Sequence, residues 1–491
     1  MKHAIICCFL FFMPAISQGQ KQGNIWYFSG HAGMDFTHGV PVLITGGQTG
    51  GGNTQEGTSC IADSAGNLLF YSDATAIFNR NHQVMTNSVG LFGNTSSTQG
   101  CIIVPKPGSD SLFYVFTSDA QENYPGNPRG YNYSVVDMCL NNGLGDVISG
   151  QKNIHLTDSG TEKLCAAADG QGGYWIMGHK MFTDEFHAWH LTSAGITDTV
   201  VSHTGIVHGG NGNVNSSISQ MKFNPACTRL ALALQNTPEA IMEIFDFNPA
   251  TGLVNNPCHI VIDTSRYLAA CYGLEFSPDG SRLYVGHTAA DTFRAIYQFT
   301  VTGATCNAIQ ASKDTICVSK VPVTWFFGMQ AGPDGKIYVA IYGVGSIIGC
   351  INYPNLTGSA VAYDSAVFTL PVGSFIPLRM FPGFVAGYKY HNGLVGPCAV
   401  LPAGMESVAR DEIASFFPNP VNGTAILNIS PQTDIRAMHI VVKDAVGRII
   451  KTVPVSKHQL SLDLSELAAG AYFYLLLQHN QTVKTDKFLV R

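Results

Sequence analysis

The chain has 491 residues with 27 Lys+Arg and 33 Asp+Glu, so 12% of it is charged, about half the share of an ordinary soluble domain. With 45% hydrophobic residues and a net charge of -6 it is not a disordered chain, which needs low hydrophobicity and high net charge. The net charge of -6 and the absence of Lys/Arg runs argue against a nucleic-acid binder. Its 52 glycines describe a turn-rich, strand-rich protein of more than one domain.

Residues 1–19 read as a secretory signal peptide. Met1-Lys2-His3 is a short basic start, Ala4 to Ile16 is apolar, and Ala15-x-Ser17 offers the small residues that signal peptidase requires. The apolar run is too short to span a bilayer, and no later stretch reaches the length of a transmembrane helix. The Sec machinery is the expected first partner.

A strand-like run then recurs seven times, as IWYF, LLFY, LFYVF, YWIM, LALAL, LYVGH and IYVAI, at intervals of 43 to 62 residues between Trp26 and Ile337. That is the period of a four-stranded propeller blade with variable loops. Most runs follow a small-residue apolar strand and a tight turn, clearest at Ser277-Pro278-Asp279-Gly280 and Gly332-Pro333-Asp334-Gly335. Pro sets the first corner, Asp bonds its own backbone and Gly accepts positive φ. Trp26 has no inner strand of its own, and Pro382–Tyr390 is expected to supply it and so close the ring. The fold class is therefore all-β: a seven-bladed β-propeller over residues 24–392, followed by a smaller domain. The stretch between Asn141 and Thr161 is where a blade is most easily miscounted.

One face of such a ring gathers the residues that end the second strands and begin the first. These are His31, Asp73, Asp119, His179, Gln235, His287 and Tyr342, together with Glu56, Gln99, Glu162, Asn215, Tyr272 and Trp325. They are candidates for a ligand site, being polar and aromatic as carbohydrate and peptide sites often are; the plain alternative is that they satisfy loop amides at strand ends. No Gly-x-Ser-x-Gly elbow or His-Glu-x-x-His motif is present, and no Cys/His cluster has zinc spacing. No catalytic residue, cofactor or metal is assigned. Of the 13 cysteines, Cys60, Cys101 and Cys165 lie in short apolar strands and read as buried thiols, whereas Cys306 and Cys317 flank one short connection and are the disulfide candidates.

Residues 397–412 lose all strand alternation and read as a linker. Beyond them, about 80 residues of short alternating strands form a small immunoglobulin-like β-sandwich. It opens with Pro418-Asn419-Pro420, carries a hairpin from Asp444 to Gly447 and a strand at Gly470-Ala471-Tyr472, and closes on Lys487-Phe488.

These elements, in this order, resemble the type A C-terminal sorting domain of the type IX secretion system, here residues 413–491. The propeller stretch resembles an uncharacterised WD/YVTN-like propeller module of secreted Bacteroidota proteins, on Asn24–Phe28, Gly66–Tyr71, Ser97-Thr98-Gln99, Val207-His208-Gly209-Gly210 and both Pro-Asp-Gly turns. The departure is Asn224-Pro225-Ala226-Cys227, a turn expected to be distorted. The resemblance implies Sec export, recognition of the sandwich by the type IX outer-membrane translocon, and removal by a sortase. The propeller is then released or joined to surface lipopolysaccharide, so the product is secreted or displayed on the outer cell surface. For the propeller two functions stand side by side: a binding module for glycans, peptides or envelope partners, its ligand unknown, and a lactonase-like hydrolase or lyase using the channel mouth. Deleting residues 482–491 is expected to leave full-length protein in the periplasm, and normal surface display of that truncation would refute the sorting role.

Overall fold

Each recurrent apolar run is a strand with its hairpin partners on either side. The computed structural model describes residues 21–388 and 414–491, except 50–55, 125–128, 210–213, 236–239, 265–269, 289–292, 320–324, 344–346, 371–377, 432, 445–447 and 479–480. The leader 1–19, the linker 397–412 and Gly447 lie outside the described residues. Two units are distinguished, Met1–Val400 and Leu401–Arg491.

Among the described residues the first unit contains seven antiparallel sheets in succession. Blade 1 is Ile25–Phe28, Ala32–Asp35 and Val42–Thr45; blade 2 is Ser59–Ala62, Leu68–Ser72 and Ile77–Asn79. Blade 3 runs from Cys101–Pro105 through Leu112–Ser118 to Tyr131–Asp137. Its outer edge is shared by Asp146–Val147 and Ile154–Thr157, which both pair with that third strand. The ambiguous stretch after Asn141 is thus the rim of blade 3. Four strands each make blades 4 (from Gly160–Ala168 to Gly195–His203), 5 (from Met221–Phe223 to Leu253–Asp263), 6 (from Ala270–Phe276 to Asp314–Ser319) and 7 (from Trp325–Ala331 to Tyr363–Thr369).

Apolar clusters fill every junction between neighbouring blades. Tyr27 and Tyr71 meet between blades 1 and 2, Phe70 and Phe113 between 2 and 3, and Tyr131 and Trp189 between 3 and 4. Phe186 and Phe245 join 4 to 5, and Leu283 and Val285 pack against Met242 and Ile260 between 5 and 6. Tyr284 meets Val339 between 6 and 7. The ring closes where Trp26 of blade 1 packs edge-on to Tyr338 of blade 7, with 5.8 Å between ring centroids.

The closing segment departs from expectation. Leu378–Tyr388 does not pair with Ile25–Phe28. It lies inside blade 1, with Phe381 and Phe384 against Trp26, but bonds sideways to the inner strands of other blades. Gly328 N donates to Arg379 O at 2.8 Å in blade 7, and Gly383 N to Thr58 O at 2.8 Å beside blade 2. The chain then crosses to blade 4, where Ala386 N donates to Ala166 O and Ala386 O accepts from Ala168 N. It is a crossbar within the channel, tied to the inner strands of blades 7, 2 and 4. The physical reason lies in the parallel bridges Ser59–Gly383 and Ala167–Ala386, through which the crossbar runs alongside its neighbours' inner strands instead of antiparallel to its own blade.

The blade 5 turn is not distorted. Cys227 takes φ 54°, where Gly280 and Gly335 take 71° and 77°. Cys227 N donates to Asn224 O at 2.9 Å, as Gly280 N does to Ser277 O at 2.8 Å. The Asn224 side-chain oxygen, accepting from Thr228 N and Arg229 N, holds the turn that a glycine would otherwise relax.

The expected Cys306–Cys317 bridge is also corrected. Cys306 begins a short helix, Cys306–Ala311, capped by Thr305. Gln310 of that helix exchanges hydrogen bonds with Val261 of blade 5. This docking turns Cys306 onto Cys258, with Cα atoms 5.4 Å apart, and leaves Cys317 a free thiol in the outer strand of blade 6. Cys139 is also disulfide-bonded. Cys60, Cys101, Cys165, Cys271 and Cys350 are buried free thiols.

The second unit is a sandwich in which strand Ala414–Asn422 serves both sheets. Ala414–Phe417 pairs antiparallel with Thr424–Ile429, and beyond Pro418-Asn419-Pro420 the chain crosses so that Val421 pairs in parallel with Val490. Asn419 fastens the closing strand: its side-chain oxygen accepts from Leu489 N at 2.9 Å, and its Nδ2 donates to Lys487 O at 3.3 Å. Phe416, Tyr474 and Phe488 stack in the core, Tyr472 lies over Phe488, and Asp444 bonds Arg448 across the hairpin.

The crossbar is open to a direct test. Gly387 has φ 64°, and a Cβ there would run into Cys227 Sγ. Gly387→Val is expected to destabilise the propeller by about 1–3 kcal/mol, measured as a lower melting temperature. An unchanged melting temperature would mean that the crossbar does not hold the ring.

Candidate functional site

Most of the predicted residues are buried and hydrogen-bonded within the protein. Glu56, Thr98, Glu162 and Tyr272 form one buried chain. Tyr272 OH donates to Glu56 Oε2 and lies 2.8 Å from Thr98 Oγ1. Thr98 N and Oγ1 both donate to Glu162 Oε2 at 2.8 Å, and Gln121 N to Glu162 Oε1 at 2.9 Å. Arg379, from the crossbar, donates to Glu56 Oε1 at 2.5 Å.

Side-chain amides bridge the channel in the same manner. Gln99 binds both N and O of Met221, joining blades 3 and 5. Gln220 accepts from Leu274 N and Met329 N and donates to Met329 O, joining blades 5, 6 and 7. The described part of the channel is therefore packed with side chains.

Next to this plug, Lys163 donates to Ser216 O at 3.0 Å and Ile218 O at 2.5 Å. His179 stacks on His208 with 3.7 Å between ring centroids, and His208 lies 3.6 Å from the buried Glu243. Burial, then the Lys163 charge, pushes His179 down to about 3. Burial likewise holds Lys163 down to about 7, against the pull of Glu162 and Glu243.

Asp73 and Asp119 organise loops. Asp73 accepts from Thr75 N, Thr75 Oγ1 and Ala76 N; Asp119 accepts from Ala120 N, Asn123 Nδ2 and Arg129 N. His287 is buried 3.7 Å from Asp263, and Gln235 is partly buried. His31 is exposed, its Nδ1 2.6 Å from Gly47 O. Among the described residues, no group of three or more His, Cys, Asp or Glu converges as a metal site.

Trp325 and Tyr342 are partly exposed. Trp325 stacks on Phe327 with rings 13° apart, and Tyr342 meets Phe327 edge-on. The Arg379 guanidinium lies 5.6 Å from the Phe327 and Tyr342 rings alike and is 27% exposed. The result is an aromatic shelf with a cation pinned at its edge. Sequence reasoning missed Arg379, which sits in an irregular segment without strand pattern. It also passed over Lys163, one residue beyond the predicted Glu162.

Residues 415–491 match the secretion system C-terminal sorting domain family. No curated protein matches the chain. Among solved structures, the chain is similar to the hydrazine synthase of Kuenenia stuttgartiensis (14% identity, 68% of this chain and 96% of that one, TM-score 0.40). It is also similar to the periplasmic gluconolactonase PpgL of Pseudomonas aeruginosa (11%, 89% and 97%, TM-score 0.36). A third is PorZ, a surface component of the type IX secretion system of Porphyromonas gingivalis (9%, 96% and 85%, TM-score 0.26). The class of protein is a seven-bladed β-propeller followed by a small β-sandwich. Its C-terminal sandwich is a type IX sorting domain, which marks the chain for secretion or the cell surface and implies contact with the type IX machinery. Among the described residues no helix is long and apolar enough to cross a membrane.

The buried acids make the plug sensitive to pH. Burial, reinforced by the Glu56 charge, pushes Glu162 up to about 8 from 4.5, and burial raises Glu56 as well. The folded state thus favours their neutral forms. The stability Glu162 contributes is complete below pH 4.5 and lost as pH rises to about 8. Lys163 acts in the window above, where its depressed value costs stability as pH falls from 10.5 to about 7. Glu162→Gln is expected to flatten the decline of the melting temperature from pH 4.5 to about 8; an unaltered slope would refute it.

Proposed function

We propose that the chain is made with a Sec leader over residues 1–19, carried across the outer membrane by the type IX translocon and cleaved by a sortase between about Cys398 and Ser415. The freed propeller is then released or joined to surface lipopolysaccharide, and it acts there as a binding module for a glycan or peptide. Export rests on the sorting domain. The binding role rests on one observation, the partly exposed shelf of Trp325, Tyr342 and Arg379 at the channel mouth.

Aromatic faces suit the apolar faces of sugar rings or peptide side chains, and a guanidinium suits carboxylates. In this reading Trp325, Tyr342 and the exposed His31 meet the ligand. Glu56, Gln99, Glu162, His179 and His287 fix the shape of the plug beneath, and Asp73, Asp119 and Gln235 shape the surrounding loops. The hydrolase or lyase alternative finds less support. The carboxylates it would use are committed, Asp73 and Asp119 to loop amides and Glu56 to Tyr272 and Arg379.

Glycan and peptide arrays probed with the purified protein test the reading. Trp325→Ala or Tyr342→Ala is expected to weaken the strongest array signal by about tenfold or more, the loss of one aromatic anchor, while Asp198→Asn on the rim of blade 4 leaves it unchanged. Array binding indifferent to both aromatic substitutions would overturn it.

A further inference from the structure

The opposite face of the ring, where the hairpin turns lie, holds a cavity of about 380 Å³. That volume is within the range of small-molecule sites. Its walls are Trp26, Ile61, Ile103, Phe384 and Tyr388, and its rim comes from the Pro-Asp-Gly turns of blades 6 and 7. The crossbar supplies Phe384 and Tyr388, so the cavity exists because that segment runs across the channel instead of filling the inner place of blade 1. No charged side chain lines it among the described residues.

Five side chains in the lining carry polar atoms, and they are not equivalent. Trp26 Nε1 donates to Gly23 O at 2.7 Å. The Gln330 side-chain oxygen accepts from Lys222 Nζ at 2.5 Å, and its Nε2 donates to Ala331 O. The Cys60 sulfur accepts from Tyr27 N. Tyr388 is engaged elsewhere. Gln22 alone stands apart: it is 3% exposed, yet both its Nε2 and Oε1 lack a hydrogen-bond partner. A buried amide left unbonded on both sides costs roughly 1–3 kcal/mol, and native structures rarely keep such a group without a use for it.

We propose that this cavity is a second binding site, for a neutral molecule with a planar apolar body and a primary amide or lactam group. An amide presents a donor and an acceptor side by side, and the group that satisfies both at once is another amide. The walls of Trp26, Phe384 and Tyr388 suit a flat ring. The absence of lining charge rejects an ionised acid or amine, which would have to shed its water without compensation. This site is independent of the mouth shelf, being on the other face and built from other residues.

Isothermal titration of the purified full-length chain tests the site with three probes of one shape: 3-phenylpropanamide, 3-phenylpropanoate and propylbenzene. The amide is expected to bind roughly tenfold or more tightly than either analogue, because only the amide pairs with Gln22. Gln22→Leu is expected to lose that preference while keeping propylbenzene affinity and the melting temperature, since it replaces an unbonded amide by an apolar group of similar size. Gln22→Met serves the same end should the leucine variant fail to fold. Equal affinity for all three probes, or an amide preference that survives both substitutions, would overturn the proposal. So would a crystal structure soaked with the amide that shows only ordered water on Gln22.

Discussion

No blade of this ring can bury both of its own faces, and that constraint governs the rest of the molecule. Each sheet presents apolar residues front and back, and each is covered only by its neighbours. Stability is therefore a property of closure. The junction of blades 7 and 1 bears the greatest demand, because there the two ends of the repeat meet without a strand in common. Trp26 answers it by touching Phe36, Tyr338, Phe381 and Phe384 together. The scarcity of charge follows, since sheets covered on both faces leave mainly loops to carry it.

Closure also creates a polar problem at the centre. Inner strands that converge on an axis leave backbone groups facing a narrow space with little room for water. The chain fills that space with its own donors and acceptors: the amides of Gln99 and Gln220, the acids Glu56 and Glu162, and the crossbar backbone. Buried polar groups satisfied in this way make a specific and rigid centre. The two proposed binding places are accordingly at the margins, the shelf at one mouth and the cavity at the other.

The repeat and the turns were legible because they are local. Pro-Asp-Gly fixes a hairpin by its own φ preferences, and an apolar run covered on both faces must be a buried strand. The same locality explains the failures. Cys306 was assigned to its nearest cysteine, whereas a helix cap and the Gln310 contact turned it to the preceding blade. Cys227 occupies a glycine's place because Asn224 supplies the hydrogen bonds, a compensation invisible in a turn motif. Strand direction predicts a face that gathers Glu56, Glu162 and Trp325, but it says nothing of what their side chains bond. That Glu56 is tied into the interior depends on Tyr272 and Arg379, which lie 216 and 323 residues away from it in the chain. The Pro-Asn-Pro segment was legible as a marker; its work, crossing between two sheets and gripping the closing strand, needed the fold.

The free thiols carry a consequence for the order of events during export. Cys60, Cys101, Cys165 and Cys271 lie on the inner strands of blades 2, 3, 4 and 6, and burial raises the pKa of each, so the reactive thiolate is suppressed. Once the ring has shut, these sulfurs are chemically insulated from any oxidant outside. Before it has shut, they are ordinary thiols on an open chain. In an oxidising compartment, correct pairing of Cys258 with Cys306 is then a race in which collapse of the inner strands must outrun thiol–disulfide exchange, and the folded ring preserves the result.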